Sequence, residues 1–284
     1  MTLLIVGGSG LLGAELVRQA TAAGRPTAAT FMSGPAPADR TDLRWYALDL
    51  RVAEQIDAVV AEARPRVIVN ATSGKADWAV TADGPVRLAV AAARHGCRLV
   101  HVSSDAVFSG ARVHYDETCL PDPVTPYGAA KAAAETGVRL LSPKSVVART
   151  SLIVDGSSRP SARPSSSPHV RVVHDLATGV RDGVLFTDDV RCPVHVSDLA
   201  AALLELAHSD ARGVHHLAGA DAVSRYELGL LVARRDGLDS SRLVAGLRAD
   251  SPLPGALDVR LDCRTTRRGL RTTLRGARTF LAAP

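Results

Sequence analysis

The first 24 residues place the strongest constraint on the fold of this chain. The apolar run TLLIV (2–6) is followed by GGSGLLG and then by the amphipathic segment LLGAELVRQATAAG (11–24). A short buried strand, a glycine-rich turn and a helix, in this order, are typical of a dinucleotide-binding fold. We predict that Gly7 allows the tight turn, that Gly10 lets a pyrophosphate approach the backbone, and that Gly13 lets helix and strand pack closely.

The rest of the first half repeats this alternation. Further strands are predicted at 27–31, 44–48, 66–70, 97–104 and 145–150, with alanine-rich helices at about 52–63, 79–95 and 126–141. Strands that alternate with helices build βαβ units and a parallel sheet covered on both faces. The predicted fold is an α/β, doubly wound parallel sheet of the Rossmann type.

The pattern changes after residue 150. The Pro/Ser-rich stretch 157–168 predicts a segment without regular structure, so that 155–170 forms either a lid or a disordered loop. Beyond it we predict strands at 184–187 and 214–219 and helices at 197–207, near 225–235 and near 262–281. We therefore divide the chain into a dinucleotide-binding domain (1–150) and a smaller substrate-binding lobe (151–284), with chain exchange between the two.

The end of the second strand bears on the choice of cofactor. An acidic residue there would bind the ribose 2′-hydroxyl of NAD. Here the strand runs into Met-Ser-Gly (32–34), the nearest acid is Asp39, and Arg40 could reach a 2′-phosphate. The sequence therefore favours NADPH, with NADH as the alternative. Asp49, at the end of the third strand, is predicted to contact adenine or to cap the next helix.

Polar residues end two further strands at the edge where such sheets bind ligands. Asn70, the single asparagine in the chain, closes RVIVN (66–70), and Ser103 and Ser104 close the strand 97–104. We expect these side chains to project into one crevice. The alternatives are an Asx turn at Asn70 and ordinary strand-end capping at the serines.

A tyrosine and a lysine lie four positions apart in PYGAAKAAAET (126–136). Lysine occurs in the chain at only three positions, although Lys and Arg together number 34. On a helix, Tyr127 and Lys131 would share one face. A lysine pKa responds to its surroundings, whereas arginine stays charged. The pair is a candidate acid/base device, and an ordinary solvated helix is the alternative.

Taken together, these segments resemble a known family. GGSGLLG, VIVNAT, VSSDAVFSG, YGAAK, RTS and DVRCPVHVSDLA occur in the order found in the extended short-chain dehydrogenases/reductases, and within them in the dTDP-4-dehydrorhamnose reductases and related sugar-nucleotide reductases. The resemblance covers nearly the whole chain. It implies a reductase that uses NADP(H) to reduce a nucleotide-activated 4-keto sugar.

The resemblance also implies roles for individual residues. Ser104, Tyr127 and Lys131 would form the catalytic triad, with Tyr127 as the proton donor and Lys131 binding the nicotinamide ribose and lowering the Tyr127 pKa. The implied cofactor-binding residues are Gly7, Ser9, Gly10, Leu11, Leu12, Gly13, Asp49, Leu50, Asn70, Ala71, Tyr127 and Lys131. The implied substrate contacts are Asp105, Ser151 and Arg191.

Three positions depart from the family pattern or bear on the alternatives to a reductase. Thr81 stands where a helical Asn is usual, and Leu152 stands where an aromatic residue is commoner. An epimerase or dehydratase of the same fold is one alternative, but related dehydratases carry an acid at the position of Ala106. A non-catalytic NADP-binding regulatory subunit is the other alternative, although such relatives often lack the Tyr or the Lys.

The composition of the chain limits the classes of ligand and partner that it is expected to bind. The formal net charge of +5 suits an anionic ligand such as a diphosphate. No basic block with interleaved aromatic residues indicates nucleic acid, and no segment indicates a membrane span or a leader. The scattered cysteines, at 97, 119, 192 and 263, have neither zinc-site nor disulfide spacing. We expect a cytoplasmic protein without a metal, with a homodimer left open.

Overall fold

A parallel sheet forms the centre of this computed structural model, which describes residues 2–34, 39, 41–75, 77–156 and 167–282. The strands are β1 (Leu3–Val6), β2 (Thr27–Phe31), β3 (Leu43–Ala47), β4 (Val67–Asn70), β5 (Arg98–Ser104), β6 (Val113–Tyr115), β7 (Val146–Thr150), β8 (Ile153–Val154), β9 (Val184–Phe186), β10 (Val190–Arg191), β11 (Val194–His195), β12 (Gly213–Leu217), β13 (Val223–Ser224), β14 (Val244–Gly246) and β15 (Val259–Leu261). Seven of them form one sheet in the order β12-β7-β5-β4-β1-β2-β3, with every pair parallel. The α/β, doubly wound prediction is confirmed.

Helices lie on both faces of this sheet and in a separate part of the second half of the chain. They are α1 (Leu11–Ala22), α2 (Ala53–Ala63), α3 (Gly84–Arg94), α4 (Pro126–Leu141), α5 (Pro168–Thr178), α6 (Val196–Ala207), α7 (Arg225–Asp236), α8 (Arg264–Arg268) and α9 (Ala277–Phe280), with a π-helical turn at Ala79–Asp83 and 3₁₀ turns at Asp105–Val107 and Ser240–Arg242. None of the helices within the described ranges is long and apolar enough to cross a membrane.

The two faces of the sheet have separate apolar cores. On one face, Leu16 of α1 and Leu199 of α6 pack with Val100 of β5. On the other face, Leu88 of α3 and Val138 of α4 pack with neighbouring strand residues. Each fully buried side chain of this size contributes about 1.5–3 kcal/mol to folding. Because helices cover both faces of the sheet, solvent does not reach those faces. Ligands are instead expected at the edge where the carboxyl ends of the parallel strands lie.

The second half of the chain contributes directly to this sheet. Strand β12 pairs with β7 along Gly213–Leu217, and α6 packs against α1. The remaining strands form four two-stranded sheets: β10 with β13, β11 with β8, β14 with β9, and β15 with β6. A third core, which includes Val173 of α5, Val232 of α7 and Leu243, lies in this region. The division at residue 150 stays a prediction.

The predicted tail helix at 262–281 is wrong. The segment contains only the short helices α8 and α9, which are bounded by Gly269 and Gly276. Between them, the backbone N–H groups of Arg271 and Arg275 donate to the carboxylates of Glu205 and Asp198 on α6 instead of to helix carbonyls. The glycines and these carboxylates therefore replace a continuous helix.

Helix α5 was not predicted, because the Pro/Ser-rich pattern extends up to Pro168. Pro168 occupies the first turn of α5, where proline is favoured, and Gly179 ends the helix in the left-handed region at φ 74°. Most of the stretch predicted to be irregular, residues 157–166, lies outside the described residues, as does Arg40.

Candidate active site

Two adjoining cavities lie at the carboxyl edge of the sheet. The glycine-loop cavity has a volume of about 450 Å³ and is lined by Gly7, Ser9, Thr30 and Leu50, among others. The tyrosine cavity has a volume of about 500 Å³ and is lined by Ser104, Tyr127 and Lys131, among others. Gly10, Ala71, Thr72 and Ser73 line both cavities. The cavities therefore form one crevice across the sheet edge.

The glycine loop has the geometry of a phosphate cradle. Gly7 has φ +84°, which a residue with a side chain rarely adopts, and a Cβ on Gly13 would lie 2.0 Å from the Gly7 carbonyl oxygen. Gly10 caps α1 without a side-chain hydrogen bond, and a Cβ there would meet only the Gly7 oxygen, at 3.4 Å. The free N–H groups at the start of α1 can thus receive a dinucleotide pyrophosphate.

The start of α4 places Tyr127 beside Ser104. Thr125 caps the helix by accepting a hydrogen bond from the Gly128 N–H, and Pro126 occupies the first turn. A Cβ on Gly128 would lie 2.0 Å from the Ala106 carbonyl oxygen, so the helix packs closely on the turn that follows Ser104. The hydroxyls of Ser73 and Ser104 act on the phenol of Tyr127 and favour a lower pKa.

Lys131 lies one helical turn further on and is buried. Its Nζ donates to the carbonyl oxygen of Val102 at 2.9 Å and approaches that of Thr72 at 3.5 Å. Burial lowers the pKa of Lys131 to about 8, although the Glu135 carboxylate acts to raise it. The ammonium group is therefore close to its titration point at neutral to mildly basic pH.

Burial sets the direction of the Tyr127 pKa in this structure, and the lowering of this pKa by Lys131 stays a prediction. Burial raises the pKa of the Tyr127 phenol, Asp105 adds to the rise, and the hydroxyls of Ser73 and Ser104 offset part of it. The ammonium of Lys131 is directed at backbone carbonyls, and its own charge is disfavoured by burial. The phenol consequently keeps its proton at neutral pH, which is the state that a proton donor requires.

Asp105 and Ser151 lie together on the far wall of the tyrosine cavity. The Ser151 hydroxyl donates to Asp105 Oδ2 at 2.6 Å and accepts from the Cys192 N–H at 3.2 Å. Burial raises the pKa of Asp105, while the Arg191 guanidinium, 3.8 Å away, acts in the opposite direction. The cavity thus has one buried carboxyl group within reach of a bound polyol.

The predicted contact Arg191 lines the tyrosine cavity, but most of its donors are used within the protein. Nη1 donates to the carbonyl oxygens of Val190 and Leu257, and Nη2 donates to that of Ala256 at 2.8 Å. Its ion pair with Asp189 measures 3.0 Å. Arg191 therefore ties the cavity wall to the segment around residue 256 in addition to lining the cavity.

Three predicted cofactor residues line neither cavity. Gly13 lies behind the loop, as its packing role requires. Asp49 forms an ion pair with Arg51, with the oxygen and nitrogen 2.9 Å apart. Asn70 is fully buried, and its Oδ1 accepts from the N–H and the hydroxyl of Thr72. Asn70 thus makes the Asx-type contact that was the alternative to direct binding, and it fixes Thr72 on the cavity wall.

Sequence reasoning missed two arginines and a histidine. Arg51 lines the glycine-loop cavity with Met32 and Ser33, at the position where a 2′-phosphate would be expected. Arg225 lines the tyrosine cavity with a side chain that is 25% exposed; it lies 3.4 Å from Asp189, and its Nη1 lies 3.2 Å from Nδ1 of His169. The spacing of Ser224 and Glu227 predicts a helix start, but no sequence signal distinguishes Arg225 from the many other arginines.

A third cavity continues from this point. The lobe cavity has a volume of about 260 Å³, shares His169 and Arg225 with the tyrosine cavity, and is lined further on by Phe186 and Arg248. Arg248 lies over the Phe186 ring, 5.4 Å from its centroid. Burial, with a contribution from Arg225, lowers the pKa of His169 to about 3, so its imidazole is neutral. No group of His, Cys, Asp or Glu among the described residues could hold a metal ion.

Comparisons with known proteins agree with this geometry. The family model of the RmlD substrate binding domain matches residues 1–282. The dTDP-4-dehydrorhamnose reductase of Mycobacterium tuberculosis is 34% identical over 263 residues, which cover 89% of this chain and 81% of that protein.

Solved structures show the same fold. A dTDP-4-dehydrorhamnose reductase from Bacillus anthracis in complex with NADP aligns with TM-score 0.81 and 22% identity, covering 99% of this chain and 96% of the other. A UDP-glucose 4-epimerase from Thermus thermophilus in complex with NAD aligns with TM-score 0.80 and 21% identity, covering 99% and 98%. At these identities the likeness concerns the fold.

Proposed function

The chain belongs to the RmlD substrate binding domain family, and from that premise we propose that it is an NADPH-dependent reductase of a nucleotide-activated 4-keto sugar. One observation supports this proposal above all: Ser104, Tyr127 and Lys131 line one cavity, and this cavity opens into the glycine-loop cavity. The similar reductase of Mycobacterium tuberculosis supports the same reaction class.

Each residue of the triad has a distinct task in the reduction. NADPH supplies the hydride that the carbonyl carbon accepts. Tyr127 donates its phenolic proton to the carbonyl oxygen, and Ser104, which lines the same cavity, orients that oxygen. Lys131 would hold the nicotinamide ribose and would place a positive charge near the phenolate that forms. The products are the secondary alcohol and NADP⁺.

The glycine-loop cavity supports a preference for NADPH. Its wall lacks a carboxylate at the end of β2, where Met32 and Ser33 stand, and Arg51 contributes a guanidinium on the same wall. A carboxylate at this point would repel a 2′-phosphate, whereas a guanidinium binds phosphate through paired N–H groups. Arg51 is half-exposed and forms an ion pair with Asp49, which weakens its attraction for a 2′-phosphate. We therefore expect a partial preference for NADPH, with NADH also accepted.

The second half of the crevice suits a nucleoside diphosphate. Arg225 and the neutral His169 lie where the tyrosine cavity meets the lobe cavity, so they can bind a diphosphate whose sugar reaches Tyr127. Because Nδ1 of His169 faces the arginine N–H, the other ring nitrogen carries the proton and can donate. Phe186 and Arg248 then provide an apolar and cationic wall for the base.

The reaction is tested by following the hydride. We expect 4-deuterio NADPH and a panel of nucleotide 4-keto sugars to give an alcohol that retains deuterium at the new carbinol carbon, with one NADP⁺ formed per product, as measured by mass spectrometry and absorbance. Product without net NADPH consumption would instead indicate the epimerase alternative. No reaction across the panel, together with NADPH binding, would indicate a non-catalytic subunit.

Three broader predictions accompany this function. They are a cytoplasmic location, a homodimer as one open alternative for the oligomeric state, and the division into a dinucleotide-binding domain (1–150) and a smaller substrate lobe (151–284). Light scattering of the purified chain measures its mass in solution and would decide between monomer and dimer. Separate expression of 1–150 tests the division, and because β12 completes the central sheet we expect that fragment to be less stable than the whole chain.

A further inference from the structure

Beneath the triad lies a buried ion pair that the reaction does not use directly. The guanidinium of Arg149 on β7 donates to both carboxylate oxygens of Glu135 on α4, at 2.8–3.2 Å. The hydroxyl of Ser103 donates to the same carboxylate at 2.6 Å. Both charged side chains are 1% exposed. A bidentate pair at this depth is costly to bury and fixes the position of both partners.

This carboxylate lies in register with the triad. Tyr127, Lys131 and Glu135 are spaced four residues apart along α4, so their side chains share one face of the helix. Ser103, which bonds Glu135, is the chain neighbour of Ser104. The same carboxylate therefore contacts the strand that presents Ser104 and lies one turn from Lys131.

We infer that Glu135 is a positioning residue for the reduction, which keeps Lys131 in its charged form through the carboxylate that Arg149 and Ser103 hold in place. This inference rests on the proposed function, since it assigns the task to a residue of the same reaction.

The surroundings of Lys131 leave Glu135 as its source of negative charge among the described residues. From β5, His101 faces Lys131 as a fully buried ring, and burial together with Lys131 holds the His101 pKa well below its ordinary value. From β7, Arg149 adds a second positive charge, and from β12 the burial of His216, reinforced by Arg149, lowers its pKa to about 4. Both histidines are thus neutral at neutral pH.

The arrangement of these charges predicts the direction in which the pKa of Lys131 moves when the Glu135 charge is removed. Lys131 carries its charge below its own pKa, and burial already lowers that pKa to about 8. Removing the Glu135 charge lowers it further, since an opposite charge at close range favours the ionised form. The loss of activity at high pH is then expected to begin at a lower pH than in the unmodified protein.

The test compares the pH dependence of kcat/KM in two variants. Glu135→Gln keeps the shape of the side chain and removes its charge, and we expect the high-pH limb to move down by about one pH unit. Arg149→Lys disturbs the same core but keeps a positive charge beside the carboxylate, and its limb is expected to stay in place. NADPH binding and circular dichroism check that each variant is folded.

The possible outcomes separate a positioning role from a structural one. A Glu135→Gln enzyme with an unchanged limb, or two variants with equal downward shifts, would overturn the inference. If Glu135→Gln does not fold, the double variant with Arg149→Met removes both charges of the Glu135–Arg149 ion pair together and carries the same expected shift. An unmodified protein that reduces none of the 4-keto sugars contradicts the proposed function instead.

Discussion

Residues 2–150 and residues 167–282 position their parts of the crevice by different means. In the first region, Gly7, Ser104 and Tyr127 are placed by backbone geometry: a left-handed turn, a strand end and a capped helix start. In the second region, Arg191 and Arg225 are placed by ion pairs with Asp189 and by hydrogen bonds with carbonyl oxygens and His169. We therefore propose that the first region carries the chemistry and the second carries the binding of substrate.

The largest effect is expected in the first region, at the proton donor. Tyr127→Phe removes the phenolic proton while keeping the ring, so we expect kcat to fall by about 10² or more and the affinity for NADPH to change by less than about twofold. Steady-state kinetics and cofactor fluorescence measure the two quantities. Tyr46→Phe, on a strand away from the tyrosine cavity, is the matched control. A Tyr127→Phe enzyme with ordinary turnover would remove the triad assignment.

In the second region, we expect substitutions to change mainly the KM for the sugar nucleotide. Arg225→Met keeps the length of the side chain but removes a charge-assisted contact to the diphosphate, and we expect KM for the sugar nucleotide to rise by about 10- to 100-fold with little change in kcat. Arg191 still pairs with Asp189 in this variant. Arg234→Met, an exposed arginine on the same helix, is the control. A fall in kcat at constant KM would contradict the division of tasks.

A smaller effect is expected from the glycine loop. Gly13→Ala places a methyl group 2.0 Å from the Gly7 carbonyl oxygen, so helix and loop must move apart. We expect the Kd for NADPH to rise about tenfold and the free energy of unfolding to fall by about 1–3 kcal/mol. The control is Gly269→Ala, whose Cβ would lie 3.7 Å from the nearest atom. Equal behaviour of the two variants would mean that the loop does not shape the cofactor site.

The smallest effect concerns the choice of cofactor. Ser33→Asp introduces a carboxylate on the wall that faces the 2′-phosphate, and we expect the ratio of NADPH to NADH affinity to fall by about fivefold, or ~1 kcal/mol. Titration of both cofactors by fluorescence measures the ratio. Tighter binding of NADH in the unmodified protein would contradict the preference itself.

The same division explains what could be predicted from the sequence. Helix α4 begins and ends at the predicted residues, and the strands of the central sheet in the first half lie within one residue of the predicted limits. Local patterns sufficed there because periodicity, glycine turns and caps act over a few residues. Arg225 could not be predicted, since its position depends on Asp189 and His169, which are far away in the sequence.

The wrong prediction of a tail helix and the raised pKa of Tyr127 have related physical causes. The tail was predicted to be helical from its arginine-rich pattern, but carboxylates on α6 bind its backbone N–H groups. The Tyr127 pKa was predicted from the charge of Lys131 alone, whereas burial dominates it. In both cases the deciding partner or environment exists only in the folded chain.

The contact between α1 and α6 has a consequence for how the protein reaches its native state. The Ser197 hydroxyl donates to the Glu15 carboxylate at 2.8 Å, and the Ser197 carbonyl oxygen accepts from the Gln19 side chain at 2.9 Å. The apolar face of α1 packs on α6. These partners are 182 and 178 residues apart, so on the ribosome the face of α1 stays uncovered for roughly 10 to 40 s after its synthesis. We therefore expect the nascent chain to need protection by a chaperone, and its refolding in vitro to be slow and dependent on protein concentration.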